Sequence, residues 1–337
     1  MPKREEMSKS RKLWVDQMRG FCMIAILWFH TEMYYAGGEV TPYGLYVQDA
    51  LAGFFFLSGY LFWRDEAFCL ENRLRSIVRW LVVPYFFFTA LIAVPKALAH
   101  DAFTGVLPLA VNILSGRASW FVAALIVAEV LFAIVVHLTK GRLVPMGLVA
   151  LAALVAAHLV GNEHAHTFLY NKHNLWSVND ALLAFVFLYV GYVYHRFEKS
   201  IDSLPQVVLI AVGCLVMIAM KWLILSGDEQ VVFGSINASN YPLFVLDMLT
   251  AVLFMATLFK QLPRVWFLSW TGSHTLVYYF FCGGVPLVVS MMLQKAGFAY
   301  SGCWSFVVAY VLVYLLATAI AWLFYRYTNI AKRPKEA

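Results

Sequence analysis

The chain has 337 residues, of which 62% are hydrophobic and 13% charged, whereas soluble domains run about 45–50% apolar and about 25% charged. With a mean hydropathy of +0.73, this excludes a soluble globular protein. The net charge of +6 is scattered over separate short segments, which is not the concentrated patch of a nucleic-acid binder.

Apolar runs near 20 residues predict membrane-spanning helices. In chain order they fall at 13–33, 48–64, 80–98, 118–138, 143–160, 179–195, 206–226, 242–259, 266–292 and 303–325. The expected fold class is an all-α polytopic integral membrane protein of about ten transmembrane helices, forming one transmembrane domain over 1–337. Ten spans leave both termini on one side. With that side cytoplasmic, the inner segments hold 19 Lys and Arg, from Lys3, Arg4, Lys9, Arg11 and Lys12 to Arg326, Lys332, Arg333 and Lys335. The outer side holds five: Lys96, Arg117, Lys172, Lys221 and Lys295. The bias recurs at every inner loop, as the positive-inside rule requires.

The first apolar run has a basic flank but is long, is interrupted by Arg19, and is followed by "TEMYYAGG" with no small-residue cleavage site. It reads as a retained helix and not as a signal peptide. The five cysteines form no C-x-x-C pair, so neither a disulfide framework nor a metal site is expected. The longest loops are external, at 99–117, 161–178 and 227–241. The main charged cytoplasmic loop is 64–79, "RDEAFCLENRLRSIVR", where Arg75 and Arg79, four apart, would share a face of a short helix.

The first span itself carries ionisable groups: "DQMRGFCMIAILWFH", from Asp16 to His30. Eleven positions separate Arg19 from His30, which is three helical turns plus roughly 20° and about 16.5 Å of rise, so the two share a face. Arg19 lies roughly 9 Å inside the cytoplasmic edge, and Asp16 is one turn away as its partner. Intramembrane ionisable residues normally face the bundle interior and mark a functional path. The plainer reading is an interfacial Asp–Arg pair, with Arg19 snorkelling to headgroups, and a satisfied histidine near the outer edge.

These residues also carry a resemblance. "D16-x-x-R19-G20" followed by His30 resembles the opening signature of the acyltransferase 3 family, whose hallmark is Arg, ten residues, then His. "FFFLSGYL" at 54–61, centred on Ser58-Gly59-Tyr60, resembles its second-span motif. The basic stretch through Arg75 and Arg79 to Pro84-Tyr85 is similar to its third-span entry, with one residue more between Arg79 and Pro84. "SWFVAAL" from Ser119 and "FLYVGY" at 187–192 resemble later motifs, in family order and over most of the chain. "TGSHTLVYYFFC" resembles a motif that often ends in His; here Cys282 stands in that place, and no role passes to it. The extra soluble esterase-like domain of some members is not expected here.

The resemblance implies transfer of an acyl group, usually acetyl, from cytoplasmic acyl-CoA to a cell-envelope carbohydrate or glycolipid, in the bacterial inner membrane and without a metal. The residue chemistry agrees. Guanidinium groups suit phosphates, so Arg19, Arg75 and Arg79 are the expected donor-binding residues. His30 is the expected general base or, alternatively, an acyl-carrying nucleophile. Glu129, in mid-span, needs a partner; it would orient His30 or bind substrate, or be a structural polar contact. Ser58-Gly59 acts through its hydroxyl or, as small residues do, lets helices approach. Trp120 is expected to anchor at the interface, with sugar stacking open to it. Asp180 and Asp247 are expected at solvated interface positions, with acceptor contacts open to them. Arg64 and Arg73 are expected to enforce topology. His164, His166 and His173 share one loop, which is poor evidence for a metal. His274 has no assigned role. A different class stays open: Asp16, His30 and Glu129 as a proton relay in a secondary transporter, although no paired, broken helices point that way.

Overall fold

Lipid offers backbone groups no hydrogen-bond partner, so so apolar a chain must satisfy them within helices. A computed structural model of the chain describes residues 12–63, 67–99, 103–161, 174–234 and 236–328. Its helices are α1 (Leu13–Thr31), α2 (Val47–Tyr60), α3 (Leu70–Ile77), α4 (Val83–Ala99), α5 (Val106–Leu114), α6 (Trp120–Thr139), α7 (Leu143–Gly161), α8 (Val178–Arg196) and α9 (Glu198–Asp202), followed by α10 (Gln206–Ser226), α11 (Tyr241–Gln261), α12 (Trp266–Ser273), α13 (Thr275–Phe281), α14 (Gly284–Lys295) and α15 (Cys303–Tyr327). Between α10 and α11 a small antiparallel hairpin pairs β1 (Val231–Val232) with β2 (Asn237–Ala238), Val231 opposite Ala238.

Among the described residues, seven helical stretches are long and apolar enough to cross a membrane, or eight if the bent pair α13–α14 is one span. The predicted spans at 13–33 and 48–64 are the two that fall short. In α1 the polar residues Asp16, Gln17, Arg19 and His30 dilute the apolar run. α2 has only 14 residues, and all of them except Phe54 are buried. A helix enclosed by its neighbours meets protein on every side, so neither its length nor its polarity has to match lipid.

Two predicted boundaries move. The segment 64–79 is not a loop throughout: one helical stretch runs from Leu70 to Leu98, joining α3 to α4 through a π-helical turn at Val78–Val82. The single predicted span at 266–292 is broken twice. At the first break the His274 ring nitrogen Nδ1 lies 2.7 Å from the Trp270 carbonyl and 2.8 Å from Ser273 Oγ. Such local bonds compete with the helical ladder. At the second, before Gly284, the chain bends by 51°, where Gly283-Gly284 gives the backbone extra freedom.

The tightest crossings are made by glycine. A β-carbon on Gly20 of α1 would lie 2.0 Å from the Leu268 carbonyl oxygen of α12, and one on Gly272 would lie 1.7 Å from that of Asp16. On α2 and α8, Gly59 and Gly191 play the same part, at 1.9 Å from the Leu188 oxygen and 2.0 Å from the Phe56 oxygen. Small residues let membrane helices touch backbone to backbone, which accounts for the glycine in both the "D-x-x-R-G" and "SGY" stretches.

The helix ends sort by side. The starts of α1 and the ends of α2, α6, α8 and α11 gather at one end, as alternation of the predicted spans demands. There Lys12 bonds both Tyr60 and Glu198, Arg196 reaches the Gly141 carbonyl at 3.3 Å, and Lys260 pairs with Glu198 at 2.8 Å. This is the basic end. At the far end the β1–β2 hairpin drives the fully buried Phe233 back among the helices, stacked on Phe55 with ring centres 5.5 Å apart.

Candidate functional site

Glu129 is the first buried charge to account for. It sits in the middle of α6 and is 8% exposed. Its Oε1 accepts from Ser58 Oγ of α2 at 2.5 Å, and its Oε2 accepts from Arg73 Nη2 of α3 at 3.0 Å. The Arg73 guanidinium lies over the Phe62 ring, 3.6 Å from its centre, a cation–π contact on the apolar side of the pair. Ser58 therefore uses its hydroxyl while its neighbour Gly59 makes the helix crossing; the two readings of that dipeptide hold together.

Arg73, expected only to enforce topology, is also the partner of Glu129. It lines a cavity of about 160 Å³ with Phe62, Phe68, Cys69, Asn72, Ser76 and Tyr192, which gives the Glu129 pair a cleft beside the basic end. Arg75 and Arg79 are elsewhere. Arg75 is exposed and bonds Glu71, one turn away on α3, at 2.7 Å. Arg79 is exposed too, its guanidinium 5.0 Å from the Trp80 ring centre. What distinguishes Arg73 is the inward face of α3. Arg73 lies four positions from Ile77, the buried residue of α3, and so on the inward face, whereas Arg75 is two positions away and on another.

Along α1, Asp16 is buried and Arg19 partly buried at the basic end, and His30 is partly buried at the far end. α1 is unbroken between them, so the rise of about 16.5 Å and the shared face expected from the spacing hold. Beside Asp16, Gln17 is fully buried and its Oε1 accepts the Val265 N–H at 2.6 Å. Around His30, the Phe29 ring meets the imidazole edge-on at 5.5 Å and Tyr34 lies parallel to it at 6.3 Å. Lys96 is within electrostatic range of both His30 and the buried Cys282, and Cys282 sits at the bend between α13 and α14.

Glu129 does not touch His30. Lys12 meets Tyr60 at the basic end, so Ser58, two residues from Tyr60, lies near that end with the Glu129 carboxylate. His30 is eighteen residues beyond Lys12, ~27 Å along α1 at 1.5 Å per residue. The expected direct orientation of His30 by Glu129 therefore gives way to two separate polar stations, one at each end of the bundle.

Glu32 was passed over, although it falls inside the first predicted span. It is fully buried, and its carboxylate accepts from Trp28 Nε1, the Thr41 N–H and the Tyr46 hydroxyl, each at 2.8 Å. It ties the end of α1 to the loop before α2, two residues from His30. Trp120 packs beneath the hairpin, its ring 3.2 Å from where a Gly234 β-carbon would lie. Asp180 and Asp247 are not solvated: they are 2% and 0% exposed. Asp180 accepts from Asn174 Nδ2 at 3.3 Å. Asp247 pairs with Lys221, which is buried in α10. Arg64, His164, His166 and His173 lie outside the described residues.

The basic end is closed by a charge cluster. Glu198 of the short helix α9 accepts from Lys12 at 2.6 Å, from Lys260 at 2.8 Å and from the Tyr60 hydroxyl at 2.8 Å. Lys260 also bonds Asp202 at 2.6 Å. Burial alone would raise the Glu198 carboxyl, but the hydrogen bonds from Lys12, Lys260 and Tyr60 outweigh it and pull it down to about 2.

These features define a polytopic helical membrane protein with an Arg–Glu–Ser station near its basic end and a histidine near its far end. Residues 12–326 match the family model described as an acyltransferase domain, and the chain belongs to the acyltransferase 3 family. Membership implies acyl transfer to a carbohydrate-type acceptor. No curated protein and no solved structure matches the chain.

Proposed function

We propose that this chain is a membrane-bound O-acyltransferase of the bacterial inner membrane, with ten spans and both termini cytoplasmic. It takes an acyl group, acetyl in the simplest case, from cytoplasmic acyl-CoA and places it on a hydroxyl of a cell-envelope carbohydrate or glycolipid. The observation that carries this reading is the polar face of α1, where one unbroken helix holds Arg19 toward the basic end and His30 toward the far end.

Acyl-CoA is a polyanion and cannot enter lipid. Arg75 and Arg79 on the exposed face of the α3–α4 stretch meet its phosphates, and Arg19 stands deeper, on the way in. Guanidinium forks bind phosphate bidentately. His30 takes the proton of the acceptor hydroxyl as that oxygen attacks the thioester carbonyl, and returns it to the departing thiolate. The electron pair of the C–S bond leaves with sulfur, so the step needs no metal and no redox partner. A transient acyl on the imidazole is the other route open to the same side chain.

The test is binding of acetyl-CoA to the purified protein in detergent, followed by glycan analysis of a deletion strain. Binding that weakens as salt rises, together with loss of an ester from an envelope glycan, is the expected result. Absence of acyl-CoA binding overturns the proposal and returns the chain to the proton-coupled transporter class.

A further inference from the structure

The far end of the bundle holds a second buried charge cluster that the acyl-transfer reading does not use. Lys221 is the one charged residue of α10, a helix that buries only Lys221 and Ile224. Its ammonium reaches Asp49 Oδ2 of α2 at 2.5 Å, Asp247 Oδ2 of α11 at 2.6 Å and the Gly44 carbonyl at 3.0 Å. An ammonium has three donors, and all three are spent. Gln48, fully buried, gives both protons of its amide nitrogen, to the Gly44 carbonyl at 2.6 Å and to Asp247 Oδ2 at 3.0 Å.

Every donor in the cluster is then in use, and three acceptors are still without one. Gln48 Oε1, Asp49 Oδ1 and Asp247 Oδ1 are buried and have no hydrogen-bond partner, on residues 0%, 6% and 0% exposed. Because both carboxylates sit on a single ammonium, they converge to within about 5 Å of each other, close enough that the two cannot both stay ionised easily. Among the described residues, the Cys22 thiol of α1 and the Tyr43 hydroxyl of the turn before α2 are also within electrostatic range of Asp49. Ordinary thiols and phenols are neutral at pH 7, so neither balances the charge. Two carboxylates and one ammonium leave an uncompensated negative charge in a low-dielectric interior, which is costly.

We propose that Asp49 and Asp247 together hold one proton at neutral pH, making the triad with Lys221 a neutral proton-binding site. The ligand is the proton itself. It satisfies one of the orphan carboxylate oxygens as a donor, and it belongs to the pair rather than to either residue. The site ties α2, α10 and α11 together in the layer that contains His30, since Tyr46, three residues before Asp49, donates to Glu32.

The experiment is infrared spectroscopy of the purified full-length protein at pH 7. A carboxylic-acid carbonyl band is expected in the parent. It should be lost in Asp49→Asn and in Asp247→Asn, because a single remaining carboxylate is balanced by Lys221. Each single variant should keep the parental elution profile, while the double variant, which strands a buried ammonium, should lose it. Asp49→Glu and Asp247→Glu keep the carboxyl and should shift the band without removing it, which assigns it even if an Asn variant fails to fold. A parent without the band, or a band indifferent to all four single substitutions, overturns the proposal. If the band is absent and the melting temperature rises when sodium replaces choline at fixed ionic strength, the site holds a monovalent cation instead.

Discussion

Arg73 and Glu129, 56 positions apart in the chain, meet at 3.0 Å where α3 rests against α6. The pair is largely shielded, and removing one partner of a shielded pair strands the other charge. Arg73→Ala is therefore expected to cost about 3 kcal/mol of stability, as is Glu129→Ala. Arg73→Met combined with Glu129→Gln should recover most of that loss, because no charge is stranded. Unfolding in detergent, followed as a double-mutant cycle, measures the coupling; additive losses would mean that the contact contributes nothing.

Arg75→Ala and Arg79→Ala should behave differently. Both side chains are exposed, and surface ion pairs such as Arg75–Glu71 contribute at most about 1 kcal/mol. Melting temperatures should stay near the parent. Acetyl-CoA affinity should fall, by about 1.5–3 kcal/mol for each charge-assisted bond lost. Isothermal titration decides the matter: parental affinity in both variants would leave these arginines with only a topological role.

His30→Ala should bind acetyl-CoA normally and lose acyl transfer by about 10²–10⁴-fold, the usual cost of removing a general base. Arg19→Lys keeps the charge but loses the planar fork that grips a phosphate, so it should express well and bind the donor poorly. Single-turnover transfer assays alongside donor binding separate the two effects. Transfer at the parental rate by His30→Ala would remove His30 from the chemistry.

The Glu198 carboxyl is held at about 2 in the folded chain, below its ordinary value near 4.3. The stability it lends is complete above that ordinary value and is lost as pH falls toward 2. Comparing the parent with Glu198→Gln isolates this group from other acids. The melting-temperature gap between them should be constant from pH 5 to pH 8 and should close steadily at about pH 4 and below. A gap that closes near neutrality would point to a different titrating group.

Two native thiols report orientation without new substitutions in loops. Cys69 and Cys303 are both exposed, one before α3 at the basic end and one at the start of α15. With the basic end cytoplasmic, a membrane-impermeant maleimide should label a chain retaining only Cys303 in intact cells and miss one retaining only Cys69. The reverse pattern would place the donor arginines on the wrong side.

The membrane class, the continuous α1 and its Arg19–His30 face were legible because they depend on composition and on spacing within one helix. Gly20 and Gly59 were visible as motif residues, and their backbone contacts explain them. Partner choice was not legible. Glu129 announces by its position that it needs a cation, but Arg73, Arg75 and Arg79 are equivalent in a charge count until the inward face of α3 is known. Lys221 was counted with the outer-side cations because it stands near the end of its span; only Asp49 and Asp247, from two other helices, draw it inside. The breaks at His274 and before Gly284 were hidden because the apolar run continues through both.

The Asp49–Lys221–Asp247 triad also sets an order on biogenesis. Asp49 leaves the ribosome about 170 residues ahead of Lys221, which at ~5–20 residues per second amounts to roughly 10–30 s. During that interval α2 is too short to span by itself, carries a carboxyl without its ammonium, and has no α8 for Gly59 to press against. It can be seated only after α8, α10 and α11 arrive. α2 is thus a membrane segment kept waiting, because the Lys221 and Leu188 it packs against are made later in synthesis.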